Sequence, residues 1–234
     1  MKIKANSGPG TVDMSYTKYR KGEYARYMRL QERLSKEIRL KPLSVRRIKT
    51  AGGIDCSLTR GRLSCACVVC ERSRTPQEKI RVIEITKSWT SKIKPYVPGL
   101  FFIRELPVML RTVRRLRKRP GVIFVNAAGI MHPRGCGLAS HIGLLTGIPT
   151  IGITKGILCG KRIDDTVLLN RRRVAKVLKN KLVVSPGHLV DLDSSVSLTN
   201  HWTSFHRFPE PLYLADKLSK ERFDHADYAD RPLQ

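Results

Sequence analysis

Apolar side chains recur every three or four positions among charged residues over residues 23–45. This spacing places them on one face of an α-helix, and they are Tyr27, Leu30, Leu34 and Ile38. Pro42 lacks the amide hydrogen that a helix interior needs. We therefore expect the helix to end or bend near this proline.

Three short apolar stretches rich in β-forming residues follow and predict strands. They cover residues 53–58, 63–70 and 79–89, with turn-forming residues between them at Gly61 and at 72–76. Turns of this kind join neighbouring strands that run in opposite directions. The pattern therefore predicts an antiparallel meander.

The second half of the chain alternates between helical and strand-like patterns. A helix is predicted where basic residues occupy one face and apolar residues the other, the apolar ones being Leu106, Met109, Leu110, Val113 and Leu116. Residues 121–125, 138–145 and 150–154 then form strand, helix and strand, a unit that pairs its strands in parallel. A strand at 182–184, a turn at 185–187, a short helix and a last helix at about 212–223 complete a mixed α/β sandwich.

Both ends of the chain depart from this patterned region. Residues 1–22 contain Gly, Pro, Ser and several basic residues without a sustained apolar period, so we expect a flexible basic extension that orders only on a partner. Residues 219–234 form a polar C-terminal tail. No internal repeat or linker divides residues 23–218, for which a single domain is expected.

The charge of the chain points to a partner. Lys and Arg total 45 against 19 Asp and Glu, and the formal net charge is +26. A polyanion neutralises such an excess most readily, so nucleic acid is the first partner to consider, and a surface made basic only for solubility is the alternative. An anionic membrane surface would also attract these charges, but the sequence has no apolar run long enough to span or anchor in a bilayer, and no membrane partner is expected.

The N-terminal residues and the cysteines bear on the cellular compartment. The first ten residues carry charge but no apolar segment, so no secretory signal is expected and we predict a cytoplasmic protein. Six cysteines are too few for a disulfide scaffold at this length.

Three of the cysteines, Cys65, Cys67 and Cys70, lie close together and invite a zinc interpretation. No second Cys pair or His cluster stands at ligand spacing, however. In a strand, Cys65 and Cys67 share one face while Cys70 points to the other. Packing in the core is therefore favoured over metal binding.

Several polar side chains stand at the ends of predicted elements and are candidates for chemistry. Asp55 lies in an otherwise apolar strand, where a carboxylate is costly unless it is paired or bound to a cation. Strand ends are also where α/β sheets gather ligand groups. The other candidates are Arg104, Glu105, Asn126, His132, Lys155 and His188. Taken singly, each is equally compatible with a capping or salt-bridge role.

Together these residues stand in motifs that resemble the endonuclease V family. The motifs follow the family's order: GID ending at Asp55, PYVPG at 95–99, FIRELP at 102–107, GIMHPR at 129–134, GLASH at 137–141, PTIGITK at 149–155 and LCG at 158–160. SPGH at 185–188 and PEP at 209–211 with LAD at 214–216 extend the match. The resemblance covers about residues 30–218, and only the two ends lie outside it.

The resemblance implies an RNase H-like fold and metal-dependent hydrolysis of the phosphodiester one nucleotide beyond an inosine, in DNA or RNA. Mg²⁺ is the implied cofactor of an active enzyme, with Mn²⁺ as a substitute. By position, Asp55 and Glu105 match metal-binding acids, while Lys155 and His188 match residues near the scissile phosphate.

The resemblance also implies contacts with nucleic acid. Tyr96 and Pro98 match a wedge that separates bases beside the lesion, where an aromatic face and a rigid turn suit the task. We extend the predicted nucleic-acid-binding set to basic residues in or near the matched motifs and in two basic runs at 111–119 and 171–181, namely Arg104, His132, Arg134, Arg111, Arg114, Arg115, Arg171 and Arg172. A solvated helix face is the alternative interpretation of the two runs, although acids do not interleave them as in an ion-paired face.

The sequence departs from the family at Asn126, where the family has a metal-binding Asp followed by Gly and then His or Asn. Ala127 and Ala128 occupy those next positions here. An amide oxygen is a neutral and weaker ligand for Mg²⁺ than a carboxylate, so metal activation of water should suffer. A carboxylate from Asp191, near His188, is one conceivable rescue.

Three hypotheses follow. The first is a nucleic-acid-binding protein on an endonuclease V scaffold with cleavage weakened or lost, RNA being favoured over DNA because a flexible basic tail suits an irregular folded RNA, as in a ribonucleoprotein such as the ribosome. The second is an active Mg²⁺-dependent endonuclease that tolerates Asn126. The third, a scaffold that contacts mainly protein, would require an acidic partner.

Overall fold

Nine strands and five α-helices make up residues 21–72 and 80–221, which are the residues described by the computed structural model. The strands are β1 (Thr50–Thr59), β2 (Arg62–Arg72), β3 (Ile80–Thr90), β4 (Val122–Val125), β5 (Thr150–Thr154), β6 (Lys161–Ile163), β7 (Thr166–Leu169), β8 (Arg172–Val177) and β9 (Val183–His188). The helices are α1 (Lys21–Ser35), α2 (Phe102–Arg114), α3 (Leu138–Thr146), α4 (Leu192–Trp202) and α5 (Glu210–Lys220).

The strands form one mixed sheet in the order β3-β2-β1-β4-β5-β9-β8-β7-β6. β1, β2 and β3 pair antiparallel, so the predicted meander is confirmed. β4 pairs in parallel with both β1 and β5, and β9 runs antiparallel to β5. Parallel strands bring their carboxyl ends to the same side of a sheet. We call this side the carboxyl edge and define it by Asp55, Asn126 and Lys155.

Helices cover both faces of the sheet and bury its alternating apolar residues. On one face, α1, α2 and α3 pack over Ile54, Cys65, Ile123 and Val125. On the other face, α4 and α5 pack over Ala51, Cys70, Phe124 and Ile151. The predicted mixed α/β fold, an RNase H-like sheet flanked by helices, is confirmed.

The cysteines lie where the strand alternation predicted. Cys65 and Cys67 belong to the core under α2, whereas Cys70 points into the opposite core under α5. All three are free thiols with fully buried side chains. Within residues 21–72 and 80–221, no group of His, Cys, Asp or Glu side chains forms a metal cluster.

Two predicted elements, the first helix and the turn at 185–187, differ from those observed. Helix α1 ends at Ser35, ahead of Pro42, and the chain continues without regular structure. The expected turn at 185–187 lies inside β9, where Pro186 pairs with Ile151 at an irregularity in the ladder. A bulge tolerates a proline because the ladder hydrogen bond is already interrupted there.

The basic run at 171–181 is not a helix. Arg171 has a positive φ of 61° in the turn after β7, and β8 then carries the next basic residues. The run forms part of a hairpin strand, in which Val174 and Ala175 are buried while Arg172 and Arg173 are exposed. β6, β7 and β8 were therefore missed, because short amphipathic strands rich in Arg and Lys resemble a basic helix face in sequence.

Most of the predicted extension at 1–22 and of the tail at 219–234 lies outside the described residues. Lys21 and Gly22 belong to α1, and α5 continues to Lys220. Among the helices of the described ranges, none combines the length and the apolarity that a bilayer crossing requires.

Candidate active site and nucleic-acid interface

Asp55 and Asn126 are brought together by the parallel pairing of β1 with β4. Ile54 pairs with Val125, so the residues that follow each of them emerge side by side at the carboxyl edge. The Asn126 amide nitrogen donates a hydrogen bond to Asp55 Oδ2 over 2.9 Å, and the Cys56 backbone N–H donates to Asp55 Oδ1 over 2.7 Å. Both carboxylate oxygens of Asp55 therefore already accept a hydrogen bond.

Glu105 lies in the first turn of α2 and is only 6% exposed. Burial and then the charge of the nearby Asp55 raise the pKa of Glu105 to about 8, against a smaller lowering by Arg104. Arg104 Nε is buried and has no hydrogen-bond partner among the described residues. The Asp55 and Glu105 side chains thus form a buried pair of acids that repel each other when both are ionised.

A third acid, Asp216 on α5, completes the cluster and was not among the predicted site residues. Its carboxyl is within hydrogen-bonding reach of Asp55 and also accepts from Lys220 Nζ over 2.6 Å. Gly53 makes this approach possible, because a Cβ at that position would lie 2.2 Å from the Leu212 backbone nitrogen. The helix backbone rests directly on β1, and Asp216, one turn after Leu212, reaches Asp55 on the same sheet face.

The surroundings of Asp55 favour its neutral form. Burial is the largest effect and, with Asp216, raises the pKa of Asp55 to about 7, although the hydrogen bonds from Asn126 and Cys56 oppose the shift. A carboxyl held this way is protonated or ionised near neutral pH depending on small changes nearby. When it is protonated, Asp55 is able to donate to Asp216.

The arrangement does not form a ready-made metal site. Asp55, Glu105 and Asp216 are carboxylates of the kind that Mg²⁺ prefers. No group of three His, Cys, Asp or Glu in the described ranges is close enough together to hold an ion, however. In addition, Asn126 directs an N–H group rather than an oxygen toward Asp55. The implied metal thus lacks the preorganised oxygen cage that tight binding requires.

The structure separates Lys155 from His188, which the sequence had placed together near a scissile phosphate. Lys155 directly follows β5 at the carboxyl edge. His188 pairs with Thr150 at the opposite end of β5, roughly 13 Å away along the strand. Its Nδ1 accepts a hydrogen bond from the Arg39 backbone N–H over 3.3 Å. His188 therefore lies away from Lys155, because β9 runs antiparallel to β5.

Asp191 does not supply the missing carboxylate either. It is the N-cap of α4, and its Oδ1 accepts a hydrogen bond from the Ser194 backbone N–H over 2.8 Å. Since Asp191 follows His188, it lies beyond the same distant end of the sheet. Asp216, rather than Asp191, is the additional acid beside Asp55.

The predicted wedge turn is exposed at its tip and anchored at its base. Tyr96 is 55% exposed and contacts Phe101 edge to face, with ring centroids 5.8 Å apart. The His132 ring accepts from the Arg134 backbone N–H at Nδ1, so Nε2 carries the proton and donates to the Gly99 carbonyl over 3.0 Å. Burial and the charge of Arg134 lower the pKa of His132 to about 4, which keeps the ring neutral.

The Arg134 guanidinium is also engaged with the protein. Its Nη2 donates to the Gly99 carbonyl over 2.5 Å, and its Nε donates to Gln31 Oε1 over 2.7 Å. His132 and Arg134 thus position the wedge turn through Gly99.

A cavity of about 400 Å³ opens between the wedge turn and Asn126. Its lining includes Tyr96, Phe101, Asn126, His132 and Leu158. The volume falls within the range of small-ligand pockets, about 300–1,000 Å³. Ala127 and Ala128, which replace the family's usual residues, also line this cavity.

The first basic run lies away from the cavity. Arg111 and Arg115 donate to the β3 backbone carbonyls of Trp89 and Lys87. Arg114, at the end of α2, is exposed and lies roughly 13 Å along the helix from Glu105. The run is followed by the start of β4, which lies on the side of the sheet opposite Asn126. Arg111 and Arg115 therefore support the packing of α2 on β3.

The second basic run, at 171–181, extends from the side of the sheet opposite the carboxyl edge to the carboxyl edge itself. Arg171 and Arg172 lie at the beginning of β8, far from the carboxyl edge. Lys176, by contrast, pairs with Val184, which itself pairs with Ile153 near the end of β5. The C-terminal half of the run is the part that approaches the site.

The fold and the carboxylate cluster place the chain in the RNase H-like class of mixed α/β proteins. The family model for endonuclease V matches residues 32–217. Endonuclease V of Thermococcus kodakarensis is 38% identical over 199 residues, which cover 85% of this chain and 92% of that protein. The chain belongs to the endonuclease V family, whose members are metal-dependent.

Solved structures agree with this assignment. The Streptomyces avermitilis endonuclease V superposes with a TM-score of 0.73 at 30% identity, covering 83% of this chain and 91% of that one. The Ciona intestinalis endonuclease V, solved in complex with a 24mer DNA containing an inosine followed by a ribo-adenosine, has a TM-score of 0.73 at 24% identity, over 84% and 95% of the two chains. At that identity, the second likeness concerns the fold alone.

Proposed function

We propose that this protein binds nucleic acid, preferentially RNA, on an endonuclease V scaffold whose metal-dependent cleavage is weakened. The observation that carries this proposal is the hydrogen bond from the Asn126 amide to Asp55 Oδ2. An aspartate at position 126 would add a negative charge beside Asp55, and a divalent cation would be needed to neutralise the pair. The Asn126 amide instead stabilises the Asp55 carboxylate by a hydrogen bond without a cation, so the free energy gained by binding Mg²⁺ or Mn²⁺ is reduced.

Three features support retained binding. The cavity beside Asn126 is open, and the wedge turn carries an exposed aromatic ring at Tyr96. A rigid turn with an aromatic tip suits insertion between bases. The formal charge of +26 favours any polyanion. None of these features depends on a bound metal, so binding is able to persist where cleavage does not.

The preference for RNA rests on the sequence outside the catalytic cluster. A basic, unpatterned N-terminal extension suits the irregular surface of a folded RNA, and assembly into a ribonucleoprotein would neutralise the charge of the whole chain. RNA that copurifies with the protein should be identified by sequencing after nuclease-free purification. Recovery of DNA alone would contradict the preference.

The second candidate function is an active endonuclease that cuts near inosine with Mg²⁺. Asp216 favours it, because a third carboxylate beside Asp55 partly replaces the charge lost at Asn126. In this case Asp55, Glu105 and Asp216 would hold the ion, and Lys155 would stabilise the phosphate charge.

A cleavage assay separates the two functions. Inosine-containing single-stranded RNA and DNA are incubated with Mg²⁺ or Mn²⁺ and either the unaltered protein, Asp55→Ala, Asn126→Asp or Asn126→Asp/Asp55→Ala. We expect Asn126→Asp to cleave at least tenfold faster than the unaltered protein, because the carboxylate is a stronger metal ligand than the amide. A tenfold difference in rate corresponds to a change of about 1.4 kcal/mol in the activation free energy. The double variant should be inactive.

The control is binding of the same oligonucleotides without metal, which should be similar for the unaltered protein and Asn126→Asp. Robust cleavage by the unaltered protein, abolished by Asp55→Ala, would establish the second function and exclude the first. Equal inactivity of the unaltered protein and Asn126→Asp would show that the defect extends beyond the ligand at position 126.

A further inference from the structure

A second and larger cavity, of about 990 Å³, adjoins the one beside Asn126. The two cavities share Gly156 and Ile157, the residues that follow Lys155 at the end of β5. The larger cavity continues as a groove beneath the β8–β9 turn, between that turn and α4. A strand of polymer that has one unit in the smaller cavity would therefore run directly into the groove.

Basic side chains dominate the groove lining, with one acid among them. The basic residues are Lys155, Arg162, Lys176, Lys179 and Lys181, and the acid is Asp165. Asp165 pairs with Lys176 over 3.0 Å. Within residues 21–72 and 80–221, no ion pair neutralises Lys155, Lys179 or Lys181. The groove thus keeps an uncompensated positive charge, as expected of a surface that follows a phosphate backbone.

The loop between α4 and α5, which is hydrogen-bonded to the wall of this groove through Arg207, exposes an aromatic ring. Phe205 is 89% exposed, which leaves a large apolar surface in water. Solvent exposure of a phenyl ring forgoes the stabilisation that burial would provide. The loop around Phe205 is held by several hydrogen bonds to Glu210.

The Glu210 carboxylate holds this loop through hydrogen bonds. Its Oε1 accepts hydrogen bonds from the backbone N–H groups of Ser204, Phe205 and His206, and its Oε2 bonds to His206 Nδ1 over 2.7 Å. The His206 ring in turn stacks on Tyr213, with centroids 3.4 Å apart. The backbone on both sides of Phe205 is therefore fixed before any partner arrives.

Arg207 attaches the loop to the wall of the groove. Its Nε donates to the Asn180 carbonyl over 2.8 Å and its Nη2 to the Lys181 carbonyl over 3.2 Å, while Asn180 Nδ2 donates back to the Arg207 carbonyl over 2.9 Å. Phe205 is two residues before Arg207, so their Cα atoms are at most about 7.6 Å apart. The loop that carries Phe205 is consequently joined to the segment that contains Lys179 and Lys181.

We propose that this groove and Phe205 together form a binding track for single-stranded nucleic acid, with phosphates on the lysines and a base stacked on Phe205. Exposed aromatics beside a basic groove are the combination by which single strands are bound without sequence preference. The assignment rests on the proposed function and deepens it, by naming the surface that holds the strand next to the Asn126 cavity. An acidic peptide would also bind the lysines, but contact with the Phe205 ring would add little to its binding free energy.

The test measures binding of a fluorescent 20-nucleotide single-stranded RNA, and of the DNA of the same sequence, over a range of salt concentrations. Phe205→Ala should weaken binding about tenfold without changing the salt slope, because stacking involves no counterion release. Phe205→Trp should retain the affinity. Lys179→Gln/Lys181→Gln should reduce the slope of log K against log salt by about 1.4, since each phosphate contact on a single strand contributes about 0.7.

The matched control is Arg46→Gln/Arg47→Gln, which removes the same charge from exposed residues before β1, at the opposite edge of the sheet. The slope of log K against log salt for this control should equal that of the unaltered protein within experimental error. Equal slope losses in the two double variants would overturn the track, as would an unchanged affinity in Phe205→Ala. Failure of the unaltered protein to bind either oligonucleotide would overturn the proposed function as well.

Polyglutamate of 20 residues serves as the competing acidic peptide. We expect it to displace the RNA only at concentrations far above that of unlabelled RNA. Displacement at equal concentration, with no effect of Phe205→Ala on either ligand, would assign the groove to acidic peptides and overturn the track.

Discussion

Asp55 illustrates how one buried side chain links stability to pH in this protein. Its pKa is raised from 3.8 to about 7, chiefly by burial, and that of Glu105 from 4.5 to about 8 for the same reason. The folded protein therefore binds more protons than the unfolded chain between about pH 4 and 8. The stability that these groups contribute is complete below about pH 4 and is lost as the pH rises through 7 and 8.

Asp55→Asn is expected to weaken this pH dependence. The amide is neutral at all pH values, so the variant should lose less stability than the unaltered protein between pH 5 and pH 8, by a difference on the order of 1–3 kcal/mol. Thermal or urea unfolding at several pH values measures it. Asp193→Asn, at an exposed aspartate on α4, is the control and should follow the unaltered protein. Parallel pH profiles for all three proteins would contradict the raised pKa of Asp55.

At the scale of elements, the contact between α5 and β1 decides the composition of the site. No side chain separates the helix from the strand at Gly53, and the backbone atoms of Pro211 and Leu212 occupy the space that a Cβ would need. Such a contact cannot yield as a flexible side chain would. The position of Asp216 relative to Asp55 therefore depends on Gly53, which lies on the same strand as Asp55.

Gly53→Ala should displace α5 and destabilise the protein. The added methyl group would lie 2.2 Å from the Leu212 nitrogen, so the helix must move, at a cost of about 1–3 kcal/mol or more. Thermal unfolding measures the loss, and the pKa of Asp55 should fall toward its ordinary value as Asp216 withdraws. Gly22→Ala, with no atom within 4 Å of the added methyl, is the control and should unfold at or slightly above the original temperature.

At the scale of the whole molecule, the net charge of +26 governs association. Binding that neutralises six to ten phosphates should weaken by roughly 10³–10⁵-fold between 50 and 200 mM salt. Titration of a labelled RNA at several salt concentrations measures this loss. An affinity that hardly changes over this range would mean that the basic surface is not the binding element.

The main elements follow from local sequence patterns. The alternation of apolar residues marks β1 and β2, and the helical period of Leu106 to Leu116 marks α2, because each element buries one face of its own. The family motifs added the identities of Asp55, Glu105 and Asn126. The basic hairpin of β7 and β8 was not predicted, because the spacing of exposed Arg and Lys residues along this run does not distinguish a strand from a helix.

The site itself required the tertiary structure. The sequence by itself determined the elements, the excess of positive charge and the presence of an amide at position 126. Only the packing of distant elements decided that Asp216 meets Asp55, that His188 lies at the far edge of the sheet, and that the loop carrying Phe205 is joined to the wall of a basic groove. The physical reason is that a local pattern specifies which face of an element is buried, whereas strand direction and register specify which ends of separate elements meet.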